Sequence, residues 1–232
     1  MKKRTIRIAE IFSSISGEVG LIPQGSPATF IRTQGCNLKC AYCDTPQTIP
    51  DVGGFEMTSE DVVSRVTALG NERVIITGGE PGIWDDEMSK LIEVLKPCYT
   101  VQVETNGTID GGIFNHAACV VFDFKEGQNP MTFVTNVLGY AGNNWGRGNE
   151  GPRTYIKLPV TLATYKKRID EVVRIEILLS KIGDTQVMYA ISPLAGESIY
   201  QQVFDYVFLN YPEVFQKNLV YNFQIHKAMN LA

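Results

Sequence analysis

The sequence predicts an α/β fold: a mainly parallel sheet with crossover helices, arranged as an open, partial TIM-like barrel. Three observations predict it. Short apolar runs of strand character alternate with stretches of helical periodicity along most of the chain. Residues able to carry chemistry recur just after those runs, and in parallel α/β folds ligand groups gather at the carboxyl ends of strands. Finally, 232 residues are few for a full eightfold barrel of about 250. A hydrophobic content of 44% suits one domain, 1–232, with a sizeable core.

Taken in order, residues 5–12 read as the first strand, and 13–24 as a Gly- and Ser-rich turn region. Residues 28–33 form the next strand. Thr58 predicts a helix N-cap with Asp61 three residues on; Val62, Val63, Val66 and Leu69 follow helical spacing, and Gly70 ends the helix. A strand over 73–77 precedes a helix marked by Met88, Leu91, Ile92 and Leu95, closed before Pro97. Strands over 99–103 and 119–124 follow. Residues 126–153 break the rhythm. Rich in Gly and Asn, they read as a long, flexible surface loop or flap, with a short helical piece near 132–138 and with Tyr140 and Trp145 available to cover a site. The chain resumes with a strand over 155–160. A helix capped by Thr164 carries Ile169, Val172, Val173, Leu178 and Leu179, and Gly183 ends it. A strand over 187–192, a helix bearing Ile199, Val203, Phe204, Val207 and Phe208, and a last strand over 219–225 complete the pattern.

The net charge of −4 gives no electrostatic reason to expect nucleic-acid binding. No apolar run approaches the roughly 20 residues that span a bilayer, and no signal-peptide pattern is present, so a cytoplasmic, membrane-free protein is expected. Cys98 and Cys119 lie in apolar contexts and read as core residues.

The remaining cysteines, Cys36, Cys40 and Cys43, stand within eight positions, directly after a strand-like run. Thiolates packed this closely can hold one iron–sulfur cluster. Three ligands on a four-iron cube leave one iron free to bind a small molecule. A disulfide would leave the third cysteine over in a chain with no sign of secretion. A closed zinc site wants a fourth ligand, and no His or Cys nearby supplies it. Chance core cysteines would seldom cluster so tightly.

Cys-x3-Cys-x-aromatic-Cys resembles the signature of the radical S-adenosylmethionine (SAM) enzymes. Thr77-Gly78-Gly79-Glu80-Pro81, after an apolar run, is similar to their glycine-glycine-glutamate motif. Glu10-Ile11-Phe12, Ser16-Gly17-Glu18, Phe30-Ile31-Arg32, Cys43-Asp44-Thr45 and Gln224-Ile225-His226-Lys227 with Asn230-Leu231 resemble, in order, the 7-carboxy-7-deazaguanine synthase family.

That resemblance implies a [4Fe-4S] cluster on Cys36, Cys40 and Cys43, and SAM chelated to the free iron and cleaved reductively to a 5′-deoxyadenosyl radical. Gly78, Gly79 and Glu80 would meet its methionine end, and Tyr42, Cys43 and Asp44 its adenine. Glu104, Asn106, Asp123, Lys125 and Ser192 would add polar contacts. Asp123-Phe124-Lys125 stands where the family shows Ser-Pro-Lys, and Ser192-Pro193 where it shows Gln-Pro. The implied substrate is 6-carboxy-5,6,7,8-tetrahydropterin, converted to 7-carboxy-7-deazaguanine with loss of ammonia. Glu18 or the terminal carboxylate of Ala232 would read its amino and ring N–H donors, and Arg32 would pair with its carboxylate. Backbone groups at Ile15, Ser16 and Gly17, the Thr77 side chain and His226 would complete the pocket, and Thr45 would bind Mg²⁺ beside the substrate carboxylate. Ser16 replaces the family's Gln. An electron donor such as flavodoxin or ferredoxin and a homodimer are also implied. The rival readings are a small glycyl-radical activase and a cysteine-based zinc or redox module that binds another protein.

Overall fold

The computed structural model describes residues 5–142, 153–182, 187–194, 198–215 and 218–229. Nine strands form one sheet: β1 (Ile6–Ile15), β2 (Pro27–Thr33), β3 (Phe55–Met57), β4 (Arg73–Gly78), β5 (Thr100–Thr105), β6 (Cys119–Asp123), β7 (Arg153–Val160), β8 (Val187–Pro193) and β9 (Leu219–Tyr221). Their spatial order is β3-β1-β2-β4-β5-β6-β7-β8-β9. From β2 through β9 every pairing is parallel; β1 pairs antiparallel with both β2 and β3. The sheet does not close on itself, because β3 and β9 are its two edges. The expected open, partial barrel is therefore observed.

Helices α1 (Ser59–Leu69), α2 (Asp85–Leu95), α3 (Pro130–Ala141), α4 (Tyr165–Ser180) and α5 (Tyr200–Asn210) follow strands, and two short turns, α6 (Pro212–Phe215) and α7 (Ile225–Ala228), come late. The start of α1 is a full capping box: Asp61 N donates to Thr58 Oγ1 at 3.2 Å, and Thr58 N donates to Asp61 Oδ2 at 3.1 Å. Gly70 ends it in the left-handed region at φ 73°.

Alternation along the strands divides the sheet into two faces. Ile31, Val74, Ile76, Val101, Val103, Val120, Phe122, Ile156 and Leu158 point outward and share one core with Val66, Leu91, Phe133, Val137 and Val172 of the helices. The opposite, concave face is filled from the segment 16–25. There Ile22 packs on Ala28 and Ile75, and Val19 and Leu21 pack on Cys119, Val121 and Tyr155. Two positions further along the same strands, the period of two turns Arg32, Thr77, Asp123 and Lys157 inward, together with Glu104 of β5. An apolar floor thus carries a polar rim at the strand carboxyl ends.

Several sequence expectations need correction. Residues 126–153 are not one long loop. Asn129 Oδ1 accepts from Met131 N at 2.9 Å and Thr132 N at 3.2 Å, Pro130 follows, and α3 runs for 12 residues. Tyr140 is fully buried in it and donates to Ala117 O at 3.1 Å, so it covers no site; Trp145 lies outside the described residues, as does Gly183. The first strand extends to Ile15 through pairing with Pro27, and the last ends at Tyr221 because the chain turns into α7. Strand β3 has no periodicity to announce it. Thr164 caps α4 in position only, its hydroxyl accepting from Thr161 N at 3.0 Å. Cys119 is buried, but Cys98 is exposed in the turn after α2. No described helix is long and apolar enough to cross a membrane.

Thr58→Ala removes one half of the capping box. A loss of about 1 kcal/mol is expected, read as a lower urea midpoint at unchanged denaturant slope.

Candidate active site at the strand carboxyl ends

The three-cysteine loop leaves β2 and is pinned by backbone bonds to the end of β4 and to its own far side. Gly79 N donates to Thr33 O at 3.0 Å, Glu80 N to Gly35 O at 2.8 Å, and Cys36 N to Ile49 O at 3.0 Å. The approach is so close that a Cβ on Gly79 would sit 1.9 Å from Gly35 O, and one on Gly78 (φ +131°) 2.3 Å from Thr33 N. These glycines serve first to seat the loop.

Glu80 is fully buried; Oε1 accepts from Gly82 N at 2.8 Å and Thr105 Oγ1 at 2.7 Å, and Oε2 accepts from Asn106 N at 2.6 Å. Three of its roughly four acceptor sites are thus taken by the protein. It braces the end of β4 to the end of β5. Asn106 carries that brace onward. Its Nδ2 donates to Asn37 Oδ1 at 2.9 Å and lies 3.9 Å from Cys36 Sγ.

Cys36, Cys40 and Cys43 are free and partly exposed. Burial raises the Cys36 and Cys40 thiols above their usual range, so binding a metal centre there releases protons. Among the described residues no group of three or more His, Cys, Asp or Glu is arranged around a single ion. Three free thiols on one loop are the donors an iron–sulfur cube takes, each thiolate gripping a different iron. The donor set therefore suits the cluster.

Beside this loop opens a cavity of about 310 Å³, lined in part by Gly17, Glu18, Arg32, Asp44, Thr45, Thr77, Gly78, Gly79, Glu104, Asn106, Asp123, Lys125 and His226. Its far wall is an ionic chain that sequence reasoning missed in part. Lys157, buried on β7 and paired in register with Asp123, donates to the Glu18 carboxylate and lies 3.0 Å from Asp123 Oδ2. Lys125 reaches the same Asp123 oxygen at 2.7 Å. Burial pushes the Asp123 and Glu18 carboxyls up, but the ammonium charges outweigh it and hold both below their usual values. Glu104 goes the other way. Desolvation, then the Glu18 charge, raise it to about 7, although Thr77 Oγ1 donates to it at 3.2 Å. A signal for Lys157 existed: a lysine inside the apolar run Tyr155-Ile156-Lys157-Leu158.

Arg32 lies on the opposite wall. Its Nε meets Glu10 Oε1 at 2.6 Å and its guanidinium stands 5.5 Å from the Phe12 ring centre. The C-terminal turn closes the rim. Gln224 Nε2 donates to Glu18 Oε1 at 2.7 Å, Ile225 N to Gly17 O at 3.2 Å, and Lys227 Nζ lies 3.0 Å from Asp44 Oδ2. His226 lies over Gly17, where a Cβ would come within 1.7 Å of its Nδ1. Thr45 lines the cavity, its carbonyl accepting from Thr48 Oγ1 at 2.8 Å.

Some expected residues do not reach the cavity. Ile15 ends β1 opposite Pro27. Ser16 is buried; its N–H donates to Ser26 O and its hydroxyl to Ile22 O, so it ties the 16–26 loop instead of facing a ligand. Ser192 Oγ accepts from Asn222 Nδ2 at 2.9 Å, below the rim. The Tyr42 ring lies 5.7 Å from Lys125 Nζ, and its hydroxyl accepts from Glu126 N at 3.4 Å, outside the cavity wall. Ala232 lies outside the described residues.

Residues 30–116 match the family model described as the Radical SAM superfamily. Among curated proteins, the 7-carboxy-7-deazaguanine synthase of Methanospirillum hungatei is 45% identical over 105 residues, 45% of this chain and 43% of that protein. The protein of the same name from Bacteroides thetaiotaomicron is 42% identical over 104 residues, 44% of this chain and 52% of the other. The matched stretch spans about half the length of these relatives. Among solved structures, QueE from Escherichia coli superposes with a TM-score of 0.66 at 23% identity, covering 94% of this chain and 93% of the other. SuiB of Streptococcus suis bound to S-adenosylmethionine gives 0.52 at 16% identity, covering 80% and 47%. Both structures show the fold.

A carboxyl that is protonated more readily in the folded chain than in the unfolded one favours folding at low pH. The Glu104 contribution is complete below its ordinary value of 4.5 and is lost as pH rises through about 7. Stability measured by urea titration is expected to fall across that window, and Glu104→Gln to flatten the fall.

Proposed function

We propose that this chain is a radical SAM enzyme that converts 6-carboxy-5,6,7,8-tetrahydropterin to 7-carboxy-7-deazaguanine with loss of ammonia. The observation that carries the reading is a single cavity, beside the three-cysteine loop, lined at once by Glu18, Arg32, Thr45, Thr77 and His226. The names of the matched relatives support it independently.

Cys36, Cys40 and Cys43 hold the [4Fe-4S] cluster, and the Gly78-Gly79 backbone on the cavity wall receives SAM. When bound, these cofactors supply one-electron cleavage of the sulfonium and hydrogen-atom abstraction. The protein's share is placement. Arg32, steadied through Nε by Glu10, offers its terminal nitrogens to the substrate carboxylate. Glu18, kept ionised by Lys157, accepts from the donor edge of the ring. His226, on the wall of the same cavity, adds a ring contact to the substrate. Glu104, near neutrality in its affinity for a proton, holds one beside the reacting ring. Thr45 contributes its hydroxyl to Mg²⁺, which takes hard oxygen ligands and keeps several waters. A flavodoxin- or ferredoxin-type electron donor, a homodimer and a cytoplasmic setting belong to the same reading.

The direct test is anaerobic turnover of the pterin with reductant and SAM, read by product mass; no product of the deazaguanine mass overturns the assignment. Each of Cys36→Ala, Cys40→Ala and Cys43→Ala is expected to lose the brown colour and reductive SAM cleavage to background. Arg32→Ala is expected to lower pterin turnover about 100-fold, the loss of a charge-assisted pair, while uncoupled SAM cleavage continues.

A further inference from the structure

The ring edge of a pterin carries donors at its 2-amino group and N3, and an acceptor at the C4 carbonyl. A carboxylate satisfies the donors and leaves the carbonyl unread. On this cavity wall the carboxylate has a cation fixed beside it. Lys157 Nζ donates to Glu18 and lies 3.0 Å from Asp123 Oδ2. An ammonium has three donors, so one is uncommitted among the described residues, and Lys157 lines the cavity. Glu18 in turn spends one lone pair on Lys157 and one on Gln224, and a carboxylate has about four acceptor sites. Two acceptors and one donor therefore stand side by side, the complement of a 2-amino-4-oxo edge.

The position is held firmly. Lys157 is buried on a central strand, its two anionic partners come from β6 and from the 16–25 segment, and Gln224 fixes Glu18 from the C-terminal side. A residue serving only to neutralise Asp123 would duplicate Lys125, which already pairs with it at 2.7 Å.

We propose that Lys157 is a specificity-determining residue that donates to the C4 carbonyl of the bound pterin, so that the Glu18–Lys157 pair selects 2-amino-4-oxo rings over 2,4-diamino rings. The inference rests on the pterin reading of the site.

The test uses two redox-inert fluorescent ligands, 6-carboxypterin and 2,4-diaminopteridine-6-carboxylate, titrated into the cluster-loaded protein with SAM present. The natural chain is expected to bind the 4-oxo ligand about 10–100-fold more tightly, the range for a hydrogen bond to a charged group. Lys157→Met is expected to bring the two affinities within about 3-fold, chiefly by weakening the 4-oxo ligand, and Lys157→Arg to restore part of the preference. Equal weakening of both ligands in Lys157→Met, leaving the ratio intact, makes Lys157 structural and overturns the proposal. Should Lys157→Met fail to fold, Lys157→Leu, which also lacks a donor, carries the same comparison, and equal binding of both ligands by the natural chain overturns the proposal without any variant. Failure of the pterin reading is distinguishable: neither ligand then binds and the tetrahydropterin is not turned over.

Discussion

Everything at the carboxyl ends of this sheet depends on how closely the chain after β4 lies against the chain after β2. Two glycines let the backbones touch, and the carboxylate that follows them is buried and bonded to two donors at the end of β5 and one on its own turn. An ionisable group with no solvent contact survives only when its lone pairs are satisfied. Removing it would strand Thr105 and Asn106 N–H and would release the brace on the cysteine loop. The glutamate of the motif is thus framework here. The loop's exposure of its thiols and the shape of the adjoining cavity are consequences of that framework.

The ionic chain on the far wall depends on the same parallel pairing. Asp123 and Lys157 are neighbours because β6 and β7 run side by side in register. Two cations and two anions then sit at one rim, and their near balance keeps charge in a partly dry place at tolerable cost. Glu104, just outside the balance, bears the penalty and holds its proton to about neutral pH.

What could be read in the sequence was what local patterning dictates. The cap and stop of α1, the alternating apolar runs of β2, β4 and β6, and the cysteine loop each announce themselves within a dozen residues. What escaped depends on distant partners or on misleading composition. Gly139 and Gly142 disguised α3, although Asn129-Pro130 with Phe133, Val134 and Val137 was a usable start signal. Cys98 looked internal because its neighbours are apolar, yet the turn exposes it. The partners of Glu80, Thr105 and Asn106, lie 25 and 26 positions on, beyond what the motif itself could announce. Lys157 became meaningful only when the sheet placed it beside Glu18, 139 positions away.

The segment that fills the concave floor is stitched to the end of the chain: Val19 N donates to Asn222 Oδ1 at 2.8 Å, across 203 positions. Contacts so remote in sequence form late and slowly in folding. During synthesis the cysteines leave the ribosome long before the last wall of the cavity exists. The backbone bonds that seat the cysteine loop, all made between residues 33 and 80, do not depend on that remote contact.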